Sequence, residues 1–181
     1  MLIERPGDAF ELGEQLTVLG YCLQVGDVAP DFQLDHLDPS SGALRSVRLA
    51  DSTGKVRILN IVNSLDTPVC QVETRRWEII GRDLSDDVVL YTISMDLPFA
   101  QARWCGAEQA HHSALSAHRD EEFGKTYGVL IKEWRLLQRA VIVIGRSGSI
   151  EHVEYVGDQM AEPDYDSAVS AARRAERSAR T

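Results

Sequence analysis

Cysteine is scarce in this chain of 181 residues, which contains only three: Cys22, Cys70 and Cys105. A small, odd number of cysteines does not build the disulfide framework of a secreted domain. No two of them form the Cys-x-x-Cys pair that is usual in thiol–disulfide oxidoreductases. The cysteines therefore indicate either another kind of redox chemistry or buried thiols.

Positive charge and long apolar runs are also lacking. Lys and Arg number 19 against 28 Asp and Glu, which gives a formal net charge of −9 at pH 7. This balance disfavours nucleic acid and anionic membranes as partners, because both require a basic surface. No apolar run approaches the roughly 18 residues that span a bilayer, and the first residues show no signal-peptide pattern. We expect a cytoplasmic protein without a nucleic-acid or membrane partner.

Length and composition are those of one folded domain. The chain is 44% hydrophobic and 26% charged, which is ordinary for a globular protein long enough to bury a core. It contains no internal repeat and no low-complexity tract. We expect a single domain over residues 1–181.

Three apolar runs of strand length predict the centre of a sheet, at 56–62, 88–93 and 140–144. Between the first two runs, 67–84 has the apolar spacing of an amphipathic helix, with Val69, Val72, Trp77, Ile79, Ile80 and Leu84 as its apolar set. Strand, helix and strand at this spacing indicate a right-handed parallel crossover. A turn then joins the third run to 150–156 as an antiparallel pair, so the sheet is expected to be mixed.

Shorter patterns complete the expected α/β fold. Residues 10–19 alternate around Gly13-Glu14 and predict an N-terminal β-hairpin. Short extended pieces are expected at 32–34 and 46–49, and a short helix at 98–105. A final helix starts at Pro163-Asp164 and turns Tyr165, Ala168, Val169 and Ala172 toward the sheet, ahead of a charged tail at 173–180.

Cys70 stands where a thiolate is expected. It follows an apolar strand and opens the predicted helix, where backbone N–H groups and the helix dipole favour an anionic sulfur. Thr67, three residues earlier, is suited to cap that helix. Arg75 and Arg76 lie on the following turns, where they either approach the sulfur or point to solvent. Cys70 is therefore the candidate nucleophile.

Ordered segments over nearly the whole chain carry a family pattern: Gly-Asp-Val-Ala-Pro-Asp-Phe at 26–32, Ser-Leu-Asp-Thr-Pro-Val-Cys at 64–70 with Glu-Thr-Arg at 73–75, Asp-Leu-Pro-Phe-Ala-Gln-Ala-Arg-Trp-Cys-Gly-Ala-Glu at 96–108, Phe-Gly-Lys-Thr-Tyr-Gly-Val at 123–129, Arg-Ala-Val at 139–141 and Glu-Pro-Asp-Tyr at 162–165. In these segments the chain resembles the atypical two-cysteine peroxiredoxins, a family of thiol-dependent peroxidases. The resemblance implies a thioredoxin-like fold, a central mixed sheet flanked by helices, with an N-terminal β-hairpin.

The resemblance also implies roles for four residues. Cys70 matches the peroxidatic cysteine, Cys105 the resolving cysteine, Thr67 the hydroxyl that hydrogen-bonds sulfur and peroxide, and Arg139 the guanidinium that orients the peroxide. In the implied reaction, Cys70 reduces hydrogen peroxide or an alkyl hydroperoxide and becomes a sulfenic acid. Cys105 then captures it as an intramolecular disulfide. Thioredoxin or a similar dithiol protein is implied as the reductant, with no metal or organic cofactor, and the implied assembly is a homodimer.

One position departs from the family pattern, because Asn63 stands seven residues before Cys70 where the family has proline. The asparagine amide needs hydrogen-bond partners and could admit water near the sulfur. This departure keeps a second interpretation open, in which the same disulfide acts as a non-enzymatic redox sensor or binding switch.

Two further patterns favour structural interpretations. Cys22 lies among apolar residues and is interpreted as a small buried hydrophobe. The set Cys105, His111, His112 and His118 matches no usual zinc spacing, so we do not expect a metal site.

Overall fold

The structure, a computed structural model, describes residues 3–110 and 113–178. Its strands are β1 (Glu4–Glu11), β2 (Glu14–Leu19), β3 (Gln33–Leu37), β4 (Leu44–Arg48), β5 (Val56–Ile61), β6 (Val88–Ser94), β7 (Ser113–Ser116), β8 (Leu130–Ile131), β9 (Leu136–Leu137), β10 (Ala140–Ile144) and β11 (Ile150–Tyr155). Its helices are α1 (Pro68–Gly81), α2 (Pro98–Glu108), α3 (Glu122–Thr126) and α4 (Tyr165–Ser178), with a 3-10 turn at Leu49–Ser52.

The larger sheet has seven strands in the order β11-β10-β5-β6-β7-β3-β4. β5, β6 and β7 are parallel, whereas β10 pairs antiparallel with both β5 and β11. Every residue of β5 and β10 is buried, including Arg57 and Asn60 of β5, as expected of central strands formed by mostly apolar runs. The predicted mixed sheet and its antiparallel pair after 144 are confirmed.

A smaller sheet of four strands has the order β1-β2-β8-β9. Its first two strands are the predicted N-terminal hairpin, which begins earlier than expected, at Glu4. β8 and β9 have two residues each, too few for a hydrophobic period to be recognised. The sequence therefore predicted the hairpin and missed the two short strands that extend it.

Helices lie on the faces of the larger sheet. Tyr165, Ala168 and Ala172 of α4 pack with Trp77 of α1 against one face, in a cluster that also contains Val56, Ile58, Val141 and Val143. The final helix was thus predicted correctly in its orientation, although most of the expected tail after 173 is helical and continues to Ser178. Within the described ranges, no helix combines the length and apolarity that crossing a bilayer demands.

The buried face of α1 differs from the predicted apolar set. Val72 and Ile79 are 48% and 64% exposed, whereas the helix buries Cys70, Glu73, Thr74, Trp77 and Glu78. Hydrophobic spacing failed here because a buried carboxylate that has a partner takes the place of an apolar side chain. The partner of the Glu73 carboxylate is Arg139, which lies just before β10.

The interpretation of Cys22 as a buried residue is wrong, because its side chain is exposed. β2 ends at Leu19, and Gly20 follows with a φ of +101°, a conformation that glycine adopts readily. The chain leaves the sheet at this turn, so the apolar neighbours of Cys22 do not continue a strand. Only Leu23 of this segment packs partly against the core.

Candidate active site

Cys70 lies in the first turn of α1 and is fully buried. α1 begins with Pro68, whose fixed φ suits the first helical position. The preceding loop is held by Asp96 after β6, whose carboxylate accepts hydrogen bonds from Ser64 Oγ at 2.7 Å and from Leu65 N at 2.8 Å. The loop that delivers Cys70 to the helix is therefore attached to the neighbouring parallel strand.

Arg139, just before β10, brings a guanidinium to the sulfur. Its Nη2 donates to Cys70 Sγ at 3.1 Å, and both residues are 0% exposed. Nε donates to Glu73 Oε2 at 2.6 Å, while Nη1 donates to the carbonyl oxygens of Gln159 and Ala161. Because these acceptors fix the plane of the guanidinium, its remaining nitrogen points at the sulfur. A fixed positive donor at this distance stabilises a thiolate.

Glu73 is the counter-ion of this arginine. Burial raises the pKa of Glu73 to about 8, although the charge of Arg139 opposes the shift. Burial alone would lower the pKa of Arg139, but the charges of Glu73 and Cys70 outweigh it and the net shift is upward. Arg139 therefore remains a cation between two groups that can be anionic. The sequence analysis did not identify Glu73 as a site residue. The one indication in the sequence is that Glu73 lies three residues after Cys70, and therefore on the same face of the helix.

Thr67 occupies the N-cap position of α1, but the prediction that its side chain caps the helix is wrong. Its Oγ1 donates to the carbonyl oxygen of Ser64 at 3.1 Å, and no cap hydrogen bond forms. Thr67 lines a cavity of about 310 Å³ together with Asn63, Gln159 and Trp134. The structure thus places Thr67 at the wall of a cavity whose lining includes neither Cys70 nor Arg139.

Asn63 is 5% exposed and finds its partners inside the protein. Nδ2 donates to the carbonyl oxygen of Leu137 at 2.6 Å and to Gln159 Oε1 at 3.0 Å. Oδ1 lies 3.9 Å from Cys70 Sγ. The amide that replaces the expected proline is therefore satisfied and contacts the candidate nucleophile.

Cys105 lies near the end of α2, which continues to Glu108, three residues past the predicted end. It is half-buried and packs against the apolar cluster that includes Val62, Cys70 and Trp104. Both thiols are free. Burial raises the pKa of the Cys105 thiol to about 11, and the nearby carboxylate of Glu78 adds to the shift. In the folded helix Cys105 is therefore a protonated thiol.

The two arginines on α1 do not supply the cation beside the sulfur. Arg75 donates to both carboxylate oxygens of Glu108, at 2.6 Å and 2.9 Å, and so joins the end of α2 to α1. The Arg76 guanidinium stacks over the Tyr165 ring, 4.5 Å from its centroid. Their interpretation as surface residues is the one that the geometry supports.

Among the residues that the structure describes, no three potential metal ligands form a cluster. His111 and His112 lie outside the described residues. His118 Nδ1 lies 3.0 Å from Ser116 Oγ and 3.8 Å from Asp35, in a structural network at the start of the segment after β7.

The structure combines a mixed sheet with a buried cysteine at the start of the helix that follows a central strand. An arginine donates a hydrogen bond to the sulfur of this cysteine. This is the arrangement of a thiol-redox protein with a thioredoxin-like fold. Residues 24–169 match the family model described as Redoxin. The chain belongs to that family.

Similar proteins refine this placement. The chain is 47% identical over 166 residues to a thiol peroxidase of Halalkalibacterium halodurans, a match that covers 90% of this chain and 95% of that protein. It is 45% identical over 163 residues to a thiol peroxidase of Streptococcus parasanguinis, with 90% and 96% covered. Among solved structures, a peroxiredoxin-like protein from Aquifex aeolicus matches with a TM-score of 0.81 and 32% identity, covering 92% of this chain and 96% of that one. The predicted resemblance to the peroxiredoxins is confirmed.

Proposed function

We propose that this chain is a thiol peroxidase that reduces hydrogen peroxide and alkyl hydroperoxides, with Cys70 as the nucleophile. The observation that carries the proposal is the 3.1 Å hydrogen bond from Arg139 Nη2 to the fully buried Cys70 Sγ. The thiol peroxidases of Halalkalibacterium halodurans and Streptococcus parasanguinis support the same chemistry.

In the first step the Cys70 thiolate attacks one oxygen of the peroxide. An S–O bond forms, the O–O bond breaks, and hydroxide or alkoxide leaves and takes a proton to become water or an alcohol. Cys70 is oxidised to a sulfenic acid, and the peroxide is reduced. Arg139 provides fixed charged donors where negative charge develops, and the Thr67 hydroxyl at the cavity wall completes the peroxide site.

In the second step Cys105 attacks the sulfenic sulfur of Cys70. An S–S bond forms, the S–O bond of the sulfenic acid breaks, and the departing hydroxide takes up the proton lost by the Cys105 thiol to become water, which leaves both cysteines in a disulfide. A disulfide requires Cα atoms within about 7 Å, and Cys105 is held in a regular helix turn. We therefore expect the end of α2 to unwind before the bond closes.

A dithiol protein such as thioredoxin reduces the disulfide and returns both thiols. We further propose that the chain works in the cytoplasm as a homodimer. The proposed scheme needs no metal or organic cofactor, because the dithiol supplies the two electrons that the peroxide accepts through the thiolate.

The test is steady-state peroxide consumption with thioredoxin, thioredoxin reductase and NADPH. The wild-type chain should turn over, and Cys70→Ser should abolish turnover because a serine hydroxyl is hardly ionised and forms no sulfenic acid. Cys22→Ser is the matched control, since that exposed thiol lies outside the site, and it should retain wild-type turnover. A wild-type chain that oxidises once and does not turn over would instead be a redox sensor.

A further inference from the structure

Asn63 follows β5 and has an amide whose orientation is fixed by its neighbours. Nδ2 donates to two oxygens, the carbonyl of Leu137 at 2.6 Å and Gln159 Oε1 at 3.0 Å. Turning the amide over would place Oδ1 against both acceptors. The nitrogen side of Asn63 therefore faces Leu137 and Gln159, provided that the Gln159 amide is itself oriented.

Gln159 is oriented by independent contacts. Its Nε2 donates to the carbonyl oxygens of Val156 at 2.7 Å and Gly157 at 3.1 Å, and its Oε1 also accepts the backbone N–H of Arg139 at 2.9 Å. Its oxygen thus has to face Asn63. It follows that the carbonyl oxygen of Asn63 is directed at Cys70 Sγ, 3.9 Å away.

The Cys70 sulfur therefore lies between two fixed groups, one that favours its thiolate form and one that favours its protonated form. Arg139 Nη2 at 3.1 Å is a charged donor and favours the thiolate. Asn63 Oδ1 is an acceptor, so it favours a sulfur that carries a hydrogen. Two further ionisable groups lie in this part of the described structure: Glu73 on α1, which accepts the hydrogen bond from Arg139 Nε, and Cys105 on α2, which packs against the same apolar cluster. Arg139 is the stronger influence because its hydrogen bond is shorter and charged.

We propose that Asn63 is a positioning residue for the peroxide reaction proposed above, whose Oδ1 accepts a hydrogen bond from the protonated forms of Cys70, the thiol S–H before oxidation and the sulfenic O–H after it. The oxygen restrains thiolate formation in the resting protein. It also holds the sulfenic hydroxyl, which comes from the attacked peroxide oxygen, until Cys105 arrives. A proline at this position has no such acceptor.

The test is the pH midpoint of Cys70 thiolate formation, followed by ultraviolet absorbance and by the rate of alkylation with iodoacetamide. Cys22→Ser and Cys105→Ser form the background, so that only Cys70 titrates. Asn63→Leu keeps approximate shape and removes Oδ1. We expect its midpoint to move to lower pH by about half a unit to one unit, a factor of roughly three to ten in the thiolate equilibrium.

Gln159→Met is the matched control. It removes one of the two acceptors of Asn63 Nδ2 and the acceptor of the Arg139 backbone N–H. The carbonyl oxygen of Leu137 still accepts from Nδ2 and keeps Oδ1 on the side of the sulfur. A purely structural role for Asn63 predicts that Asn63→Leu behaves like Gln159→Met, with a midpoint that is unchanged or higher because Arg139 is less well held. A lower midpoint in Asn63→Leu alone supports the proposal, and the same direction in both variants overturns it.

Asn63→Pro, which restores the residue of the family pattern, is the second variant should Asn63→Leu fail to fold, and it carries the same expectation. Trapping with dimedone supplies the second readout, because the sulfenic acid should be shorter-lived without Oδ1. Alkylation uses no peroxide. A wild-type chain without peroxide turnover would therefore refute the proposed function, while the thiolate midpoints would still decide the role of Asn63.

Discussion

The surroundings of Cys70 and of Cys105 differ in charge, burial and secondary structure. Cys70 is fully buried at the beginning of a helix, with an arginine hydrogen-bonded to its sulfur. Cys105 is half-buried near the end of another helix, beside a carboxylate, and its pKa is raised to about 11. In the proposed reaction the first thiol reacts in place, whereas we expect the second to become reactive only when its helix opens. Under this proposal the fold separates the peroxide step from the disulfide step.

Arg139→Lys removes the feature that most distinguishes Cys70. A single ammonium cannot donate to Cys70 and Glu73 in the fork geometry of the guanidinium. Loss of one fixed donor to a developing charge typically costs roughly 10²-fold or more, so Cys70 oxidation should slow by about that factor. Stopped-flow fluorescence after mixing with peroxide measures this rate. An unchanged rate would mean that another group orients the peroxide, and Arg146→Lys, at a surface ion pair, is the control.

Cys105→Ser isolates the first of the two steps. Oxidation of Cys70 should remain fast, whereas turnover with thioredoxin should fall at least about tenfold while sulfenic and sulfinic acids accumulate on Cys70. Mass spectrometry of the wild-type chain after one equivalent of peroxide should find Cys70 and Cys105 joined within one chain. A bridge that contains the exposed Cys22, or one that joins only two chains, would identify a different resolving thiol.

The pH dependence of disulfide formation tests whether α2 opens first. The nucleophile is the Cys105 thiolate, which exists above the pKa of the group. Attack from the folded helix would accelerate with pH up to about 11, because burial raises the pKa of Cys105 to that value. An unwound segment exposes an ordinary thiol, whose pKa is about 8.5. We expect the rate to level off above pH ~9, as measured by rapid-quench mass spectrometry after rapid oxidation, and a continued rise would contradict prior unwinding.

Of these substitutions, Glu108→Gln should have the smallest effect, and it should accelerate disulfide formation. It removes the negative charge and one of the two acceptor oxygens that hold Arg75 on α1 to the end of α2. Exposed ion pairs are weak, so disulfide formation should accelerate by no more than about fivefold. The same measurement at high salt should reduce the difference from wild type. Lys132→Gln, which removes an ion pair with Glu4 in the smaller sheet, should leave the rate unchanged.

The sequence predicts those parts of the fold that depend on local pattern. β5, β6 and β10 are apolar runs, and the parallel crossover between the first two follows from their spacing. The start of α1 was predicted by the apolar strand before it and by the apolar spacing over 67–84. Contacts between segments far apart in the sequence were not predictable, because the periodic spacing of apolar residues within a segment carries no information about them. The apolar set assigned to α1 was only partly right for this reason: Trp77 is buried, but Val72 and Ile79 are exposed. Glu73 is buried instead, because Arg139, just before β10, reaches it.

In the candidate site, too, local patterns were predictable and contacts between distant segments were not. The segment patterns named Cys70, Thr67, Cys105 and Arg139, but not the contacts that fix them. Asn63 was recognised as a departure from the family pattern, while its partner Gln159 lies far along the chain and gave no signal of its own. The exposure of Cys22 likewise depends on the turn at Gly20 rather than on the apolar residues beside it.

Asp96 and Gln101 anchor the two segments that meet at the start of α2. Asp96 holds the loop before Cys70, and α2 starts at Pro98, two residues later. Gln101 Nε2 donates to Ser94 Oγ at 3.0 Å and to the carbonyl oxygen of Leu115 at 2.9 Å, which ties the first turn of α2 to the sheet. If the end of α2 unwinds as proposed, these contacts would confine the change to the turns that carry Cys105. Each proposed catalytic cycle would then change the length of one helix, while the loop before Cys70 stays attached to the sheet.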